Sequence, residues 1–462
     1  MMSGRPSVSV VLTNGCSVGS ALYRRLNDLG GGGGGGSRVR SSPVLDCWDG
    51  LVDICRGADI VYVLSALELP DSPDAADLQD FRAGTCVSRV VQCCQECGVG
   101  SLVFVSSSRV VSSKNGLDLA DENTPFVTSQ EDEKAHAIAV AEAEVLKASE
   151  TQNLGGSSCL YTCALRPAAI YGTKEDRSLH RALAWVGWGL NRVALGRENV
   201  QSDMLYVDNL VEAQVLAGRK LMEGAADAQA GGAGWSTHAP VCSGQAYFVT
   251  DGRPCNLQAF ADGVLDGLDF STSKVVRVPK VIALASAGMA ELACKIGLTR
   301  TPVWTRKEVR TLTDDRTSSI ARIRTDLGYQ PIVDADTALR STVAMLKEAG
   351  WGRHTFLVPG LGYWIAILLY LWLLTISGFE TACPAFLAPV QRASLHFHLV
   401  ICRRLFFVRA TVVLMLLAHV GEGLYAYTCA QRAGHKDTAP LWFLQTVIIG
   451  FPSTRLVMRL LS

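Results

Sequence analysis

The sequence predicts an α/β protein, a doubly wound parallel sheet, followed by an α-helical membrane domain of about three spans. Three observations carry that expectation. Short apolar runs alternate with helix-like stretches from Val8 to about Lys347, the order in which strands and helices build an α/β domain. Several of those runs are apolar throughout, as strands buried on both faces of a parallel sheet must be. Beyond Phe356 three long apolar stretches crowd the chain, each near the length that crosses a bilayer.

Composition narrows the class of function. At 462 residues the chain exceeds one ordinary domain. Its 43 basic residues equal its 43 acidic ones, so there is no electrostatic footprint for nucleic acid. Fifteen cysteines are scattered over a chain that opens on a strand without a signal peptide, and they are expected as reduced thiols. Cys93, Cys94 and Cys97 include a C-x-x-C spacing. They sit in the helical run Val87 to Cys97 with no second pair at zinc-finger distance, and read as small buried helix positions.

Val8-Ser9-Val10-Val11-Leu12 is a strand, the segment from Thr13 to Ser20 a turn, and Ala21 to Leu26 the start of a helix. A dinucleotide fold places its phosphate loop at such a unit, because glycines let the backbone approach the pyrophosphate and the helix N-terminus faces the charge. Only Gly15 and Gly19 are present, with Asn14 and Ser17 where glycine would be wanted. The spacing suits a cofactor loop and an ordinary strand–helix turn equally. Gly30 to Gly36 is an unbroken glycine tract, which forms neither helix nor firm strand. It falls where a second strand should follow, and no residue there reads as a ribose partner.

Structure resumes in the turn and apolar strand from Cys55 to Ala66, and again in Gly98 to Val110, where the strand ends in Ser106-Ser107-Ser108. Hydroxyls at the carboxyl edge of an open α/β sheet are ligand candidates; capping the next segment would use one of them. Glu133 to Ala148 is rich in alanine and predicts a helix. Strands follow in Tyr161 to Gly172, in Met204 to Ala213 as a strand–helix element, and in Gln245 to Gly252.

Four stretches carry a family resemblance: Thr162 to Gly172 with its Leu165-Arg166-Pro167, Tyr206-Val207-Asp208-Asn209-Leu210, Gly244 to Pro254, and Asp326-Leu327-Gly328-Tyr329. They resemble the extended short-chain dehydrogenase/reductases, within them the 3β-hydroxysteroid dehydrogenase/isomerase branch, and there the family 42E members, over roughly Val8 to Gly352. The resemblance implies a Rossmann-like NAD or NADP domain over 1–352, with a smaller C-terminal substrate region mainly in 173–352, and a steroid- or sterol-like hydroxyl or ketone as substrate. It implies a Tyr-x-x-x-Lys helix in which tyrosine moves the proton and lysine assists and holds the nicotinamide ribose. By that resemblance Ser107 orients the carbonyl oxygen, Pro167 lies beside the nicotinamide, and Thr13, Asn14, Gly15 and Gly19 line the phosphate loop. Anchored on Ala141-Glu142 and Val145-Leu146, the tyrosine position holds Lys134 and the lysine position Ile138. His136 lies about 200° around the helix from Lys134 and is expected at the surface.

The C-terminal part, 353–462, is expected to cross the bilayer at Phe356–Ser377, Leu405–Tyr427 and Leu441 to about Leu461. In the second stretch His419 and Glu422 share a face, and Arg409 can reach the interface. From Arg404 on, Ala418-His419-Val420-Gly421-Glu422-Gly423 and Pro440 to Thr446 resemble transmembrane protein 254. Basic residues flank the second stretch on both sides, at Arg392, Arg403 and Arg404 and at Arg432 and Lys436, which leaves orientation open. The expectation is a multi-pass protein of the endoplasmic reticulum with its α/β domain cytosolic and with the bilayer and a sterol-like molecule as partners. Two readings follow: an NAD(P)-dependent oxidoreductase, or a silent relative that binds lipid or serves as a membrane scaffold.

Overall fold

The computed structural model describes residues 7–13, 16–30, 38–42, 48–64, 85–111, 117–128, 132–154, 158–173, 193–230, 239–270, 276–295, 305–351, 364–370, 388–402, 405–432 and 439–450, with positions 183, 372 and 453. The chain divides into two compact units: residues 1–176, 195–264 and 278–345 in the first, and residues 177–194, 265–277 and 346–462 in the second.

In chain order the first half runs β1 (Val8–Leu12), α1 (Ser17–Gly30), β2 (Arg38–Ser42), α2 (Trp48–Cys55), β3 (Ile60–Val63), α3 (Thr85–Cys97), β4 (Ser101–Val105), β5 (Leu117–Ala120), α4 (Glu133–Lys147), β6 (Thr151–Gln152), β7 (Cys159–Pro167) and β8 (Ala169–Tyr171). Then come β9 (Val193–Leu195), β10 (Gln201–Ser202), β11 (Met204–Tyr206), α5 (Val207–Ala230), β12 (Gln245–Val249), β13 (Cys255–Asn256), α6 (Leu257–Gly267), β14 (Val276–Val278), α7 (Lys280–Lys295), α8 (Arg306–Thr313), β15 (Arg316–Ser318), α9 (Ala321–Leu327) and α10 (Ala335–Glu348).

The main sheet has the order β12–β7–β4–β3–β1–β2, and every pairing along it is parallel. Only β6 adds antiparallel, on β7. The expected doubly wound parallel sheet is therefore present. Its strands are apolar because they are covered on both faces: β1, β3 and β4 are buried at every residue. From β1 the chain moves to β2 on one side and to β3 on the other. That reversal opens a crevice at the carboxyl ends of β1 and β3, where open α/β sheets bind ligands.

Strand β2 is what the sequence hid. Arg38-Val39-Arg40-Ser41-Ser42 has no apolar run, because it is the edge strand and pairs on one side only. Its register comes from β1 and from Arg40, whose Nη1 donates to the carbonyls of Ile54 at 2.9 Å and Arg56 at 2.8 Å. The tract Gly30–Gly36 lies, after Gly30, outside the described residues.

Helix α4 covers Glu133–Lys147, as its composition predicts, and begins at Asp132, whose carboxylate accepts from the Ala135 amide. Asn209, at the start of α5, ties the Tyr206-Val207-Asp208-Asn209 element down. Its Nδ2 donates to Asp251 at 2.7 Å and to the Val333 carbonyl at 3.0 Å, and its Oδ1 accepts from the amides of Ile332 and Val333. Gly328 closes α9 at a φ of 69°, a left-handed position that favours glycine. Beyond it, Tyr329 donates to the Thr250 carbonyl at 3.0 Å.

The second unit contains α11 (Ala388–Cys402), α12 (Leu405–Arg432) and α13 (Ala439–Ile449). Helices α12 and α13 pack around Ala426, Cys429, Ala430, Ala439 and Trp442. Gly423 permits this approach, since a Cβ there would come 2.6 Å from Val447 Cγ2 and 3.1 Å from the Phe443 carbonyl. Among the described residues only Val412–Arg432 is long and apolar enough to cross a membrane. Of the other two expected spans, most of 356–377 lies outside the described residues, and α13 is described as far as Ile449, most of 451–462 lying outside them.

Candidate active site

The side chains that hold the site together are charged ones inside apolar segments. Glu142 faces inward from the middle of α4 and Arg166 from the end of β7; Arg166 Nη2 lies 2.6 Å from Glu142 Oε1, with 3 % and 0 % of the two side chains exposed. Arg166 Nε donates to both carboxylate oxygens, and the Ser106 hydroxyl donates to Glu142 Oε2 at 2.5 Å. The Arg166 guanidinium is stacked between the rings of Phe126 and Phe248, at 5.3 and 5.4 Å. Buried charges are tolerated only when paired and hydrogen-bonded. The network thus fixes α4 against β4 and β7. The sequence carried the signal, a glutamate in an alanine-rich helix and an arginine inside a nine-residue strand, but periodicity gave it no role.

Ser107 follows Ser106 off β4. Its Oγ accepts from the Arg109 amide at 3.3 Å and caps the short turn Ser108–Val110. The Arg109 guanidinium reaches back to Asp132, the cap of α4, at 2.6 Å, and Lys307 Nζ meets the other Asp132 oxygen at 2.9 Å. Burial works to raise the Asp132 pKa, but Arg109 and then Lys307 outweigh it and hold the carboxyl below its ordinary value. Through Arg109 the Ser107 turn is pinned to the first turn of α4. Lys134 is half-buried in that turn. One turn on, Ile138 is 3 % exposed and packs in the main core. His136, expected at the surface, is half-buried, with Nδ1 2.9 Å from the Val127 carbonyl.

At the other side of the crevice Thr13 is nearly buried, and its amide donates to the Ser42 carbonyl at 3.0 Å. Cys16 Sγ accepts from the Gly19 amide at 3.3 Å and lies 3.4 Å from Thr13 Oγ1. A Cβ on Gly19 would come 2.5 Å from Thr13 Oγ1, so glycine there lets α1 close on the end of β1. Asn14 and Gly15 lie outside the described residues. Pro167 ends β7 opposite Val249 of β12. A cavity of about 500 Å³ runs beside α1, lined by Ser17, Arg25, Gly172, Tyr206 and Asp208 among others. The first turn of α1, the close-packed Gly19 and the Thr13 and Ser17 hydroxyls suit the phosphate end of a dinucleotide; in the cavity itself Arg24 and Arg25 stand with the carboxylates of Asp28 and Asp208. Ile138 offers nothing to a ribose.

Elsewhere, Cys93 and Cys94 are fully buried, Cys93 Sγ lies 4.0 Å from Cys97 Sγ, and burial pushes the Cys97 thiol up to about 11. In the second unit His419 Nδ1 lies 3.1 Å from the Val447 carbonyl, and Glu422 Oε2 is buried with no hydrogen-bond partner.

The sequence model described as the 3-beta hydroxysteroid dehydrogenase/isomerase family matches residues 44–280, and that of transmembrane protein 254 matches residues 362–459. The chain is 31 % identical over 274 residues to human short-chain dehydrogenase/reductase family 42E member 1, covering 58 % of this chain and 65 % of that protein. It is 30 % identical over 278 residues to a decarboxylating sterol-4-alpha-carboxylate 3-dehydrogenase of Saccharomyces cerevisiae, covering 60 % and 73 %. The chain spans less than two thirds of the length of the plant and mammalian relatives it matches. Among solved structures, that of gox2253 superimposes with a TM-score of 0.54 at 18 % identity, covering 74 % of this chain and 99 % of that one, a likeness of fold. With half of its length matched by the family model, the chain belongs to the 3-beta hydroxysteroid dehydrogenase/isomerase family.

Proposed function

We propose that this chain is a membrane-anchored oxidoreductase that uses NAD or NADP to interconvert a hydroxyl and a ketone on a sterol-like molecule. The observation that carries the reading is the bridge Ser107–Arg109–Asp132, which brings a sheet-edge hydroxyl to the turn holding Lys134. Family membership and the yeast relative's sterol carboxylate support the substrate class. When bound, the dinucleotide supplies or accepts the hydride; Thr13, Asn14, Gly15, Gly19 and Pro167 would line it. Ser107 orients the substrate oxygen. Lys134 exchanges the alcohol proton at Nζ, the part the resemblance gives to a tyrosine hydroxyl. Residues 1–352 form the oxidoreductase part and 353–462 the multi-pass anchor, with the α/β part on the cytosolic face of the endoplasmic reticulum. An apolar substrate drawn from the bilayer gives the anchor its purpose.

A second reading, a silent relative that binds lipid or scaffolds a membrane complex, is favoured by Ile138, which is sealed into the core where a lysine would serve the ribose. The test is titration of the full chain in detergent with NADH and NADPH, followed by single-turnover oxidation of a 3β-hydroxysteroid. Micromolar binding with turnover that Lys134→Met lowers at least a hundredfold supports the oxidoreductase. No binding at millimolar cofactor leaves the silent relative.

A further inference from the structure

Helix α7 turns its small residues inward and its large ones outward. Ala283 and Ala287 are fully buried, whereas Val281 is 78 %, Ile282 58 %, Met289 66 % and Leu292 57 % exposed. Ala285 is exposed between them. At about 100° per residue these five positions fall within roughly 100° of the helix circumference, and neither Lys280 nor Glu291 enters that arc. A stripe of this width on a helix ordinarily faces a core. Here it faces out of the first unit, and an exposed apolar patch of this kind marks a protein or membrane contact.

The cations beside the stripe point outward as well. Helix α8 packs on α7 and exposes Arg306, Lys307 and Arg310, while Arg277 is exposed just before α7 begins. In the ion pairs the base is the outer member: Arg306 is 56 % exposed against 22 % for Glu291, and Lys280 42 % against 19 % for Asp314. Glu308 is taken up by the cap of α8, where it accepts from the Thr305 amide at 2.8 Å.

We propose that α7 lies along the surface of a bilayer, with its aliphatic stripe at the acyl boundary and the neighbouring cations among anionic headgroups. An in-plane helix binds in this way, through buried apolar area on one side and basic charge at the headgroup level. The occupant is a lipid leaflet because the stripe is bordered by outward cations and because the same chain carries a helix long and apolar enough to cross a membrane, Val412–Arg432. Lys307 also meets Asp132 at 2.9 Å, so the surface adjoins the start of α4 and the mouth of the candidate site. The docking stands whether or not the oxidoreductase reading does.

The experiment places a fluorescent amino acid at position 289, or as a control at position 154, where Leu154 is exposed elsewhere on the first unit. The full chain is reconstituted in nanodiscs whose lipids carry a spin-label quencher on the acyl chain, with phosphatidylcholine alone or mixed with phosphatidylserine. Quenching at 289 is expected to exceed that at 154 at least twofold and to grow with phosphatidylserine. Ile282→Glu with Leu292→Glu is expected to abolish it at an unchanged unfolding temperature, both positions being exposed, and Arg277→Glu with Arg310→Glu to remove the gain from phosphatidylserine. Equal quenching at the two positions, or none at 289, overturns the docking. Protection of 289 from aqueous iodide that rises with protein concentration, without lipid quenching, assigns the stripe to a second copy and overturns it too.

Discussion

Glu142 on α4 and Arg166 on β7 form an ion pair with almost no contact with solvent, 2.6 Å apart and joined by the Ser106 hydroxyl. Removing one member leaves the other charge buried without its partner, which destabilises by about 3–5 kcal/mol. Glu142→Leu and Arg166→Met are each expected to lower the unfolding temperature of the full chain in detergent by many degrees. The double variant is expected to recover much of the loss. Additive losses in the double variant would show that the pair is not the tie between helix and sheet.

Asp203 gives a pH signature. Burial pushes its carboxyl up to about 6, and the bond from the Ser318 amide only partly opposes that. A folded value above the unfolded one means that the folded state binds more protons in the window between about 4 and 6. Stability is then full below that window and is lost as pH rises through it, by about 3 kcal/mol for a shift of two units. Asp203→Asn is expected to flatten this decline, read as unfolding temperature from pH 4 to pH 7.

Gly19 is held against Thr13, where a Cβ would come within 2.5 Å of its hydroxyl and 2.8 Å of its Cβ. Gly19→Ala must push α1 off the end of β1. Such overpacking typically destabilises by about 1–3 kcal/mol. The variant is also expected to weaken NADH binding at least tenfold; unchanged affinity would place the dinucleotide elsewhere.

On the proposed oxidoreductase reading, Lys134→Tyr places at this half-buried position the proton donor that the resemblance implies, and is expected to raise steroid turnover without loss of stability. Ile138→Lys is expected to act in the opposite sense, because it drives an ammonium into the core and destabilises by several kcal/mol. Turnover and unfolding temperature of the two single variants separate the effects. A tolerated Ile138→Lys would mean that this face of α4 opens to solvent.

Gly423 sets how closely α12 and α13 approach. Gly423→Leu is expected to separate them, detected as loss of a cross-link between cysteines introduced at positions 426 and 442. Persistence of the cross-link would show that the helices pack through another face.

The sequence by itself determined the parallel sheet, the helix from Glu133 and the family, because each depends on local pattern: unbroken apolar runs, alanine-rich composition, short motifs at fixed spacing. Strand β2 escaped it, since an edge strand is recognised by its pairing with β1 and not by its own residues. So did the roles of Glu142 and Arg166, and the gathering of Arg109, Asp132 and Lys307 at the start of α4. Those residues lie up to some two hundred positions apart, and only tertiary packing brings Arg109 and Lys307 to within 2.9 Å of Asp132, where Coulomb energy and burial give the charges meaning.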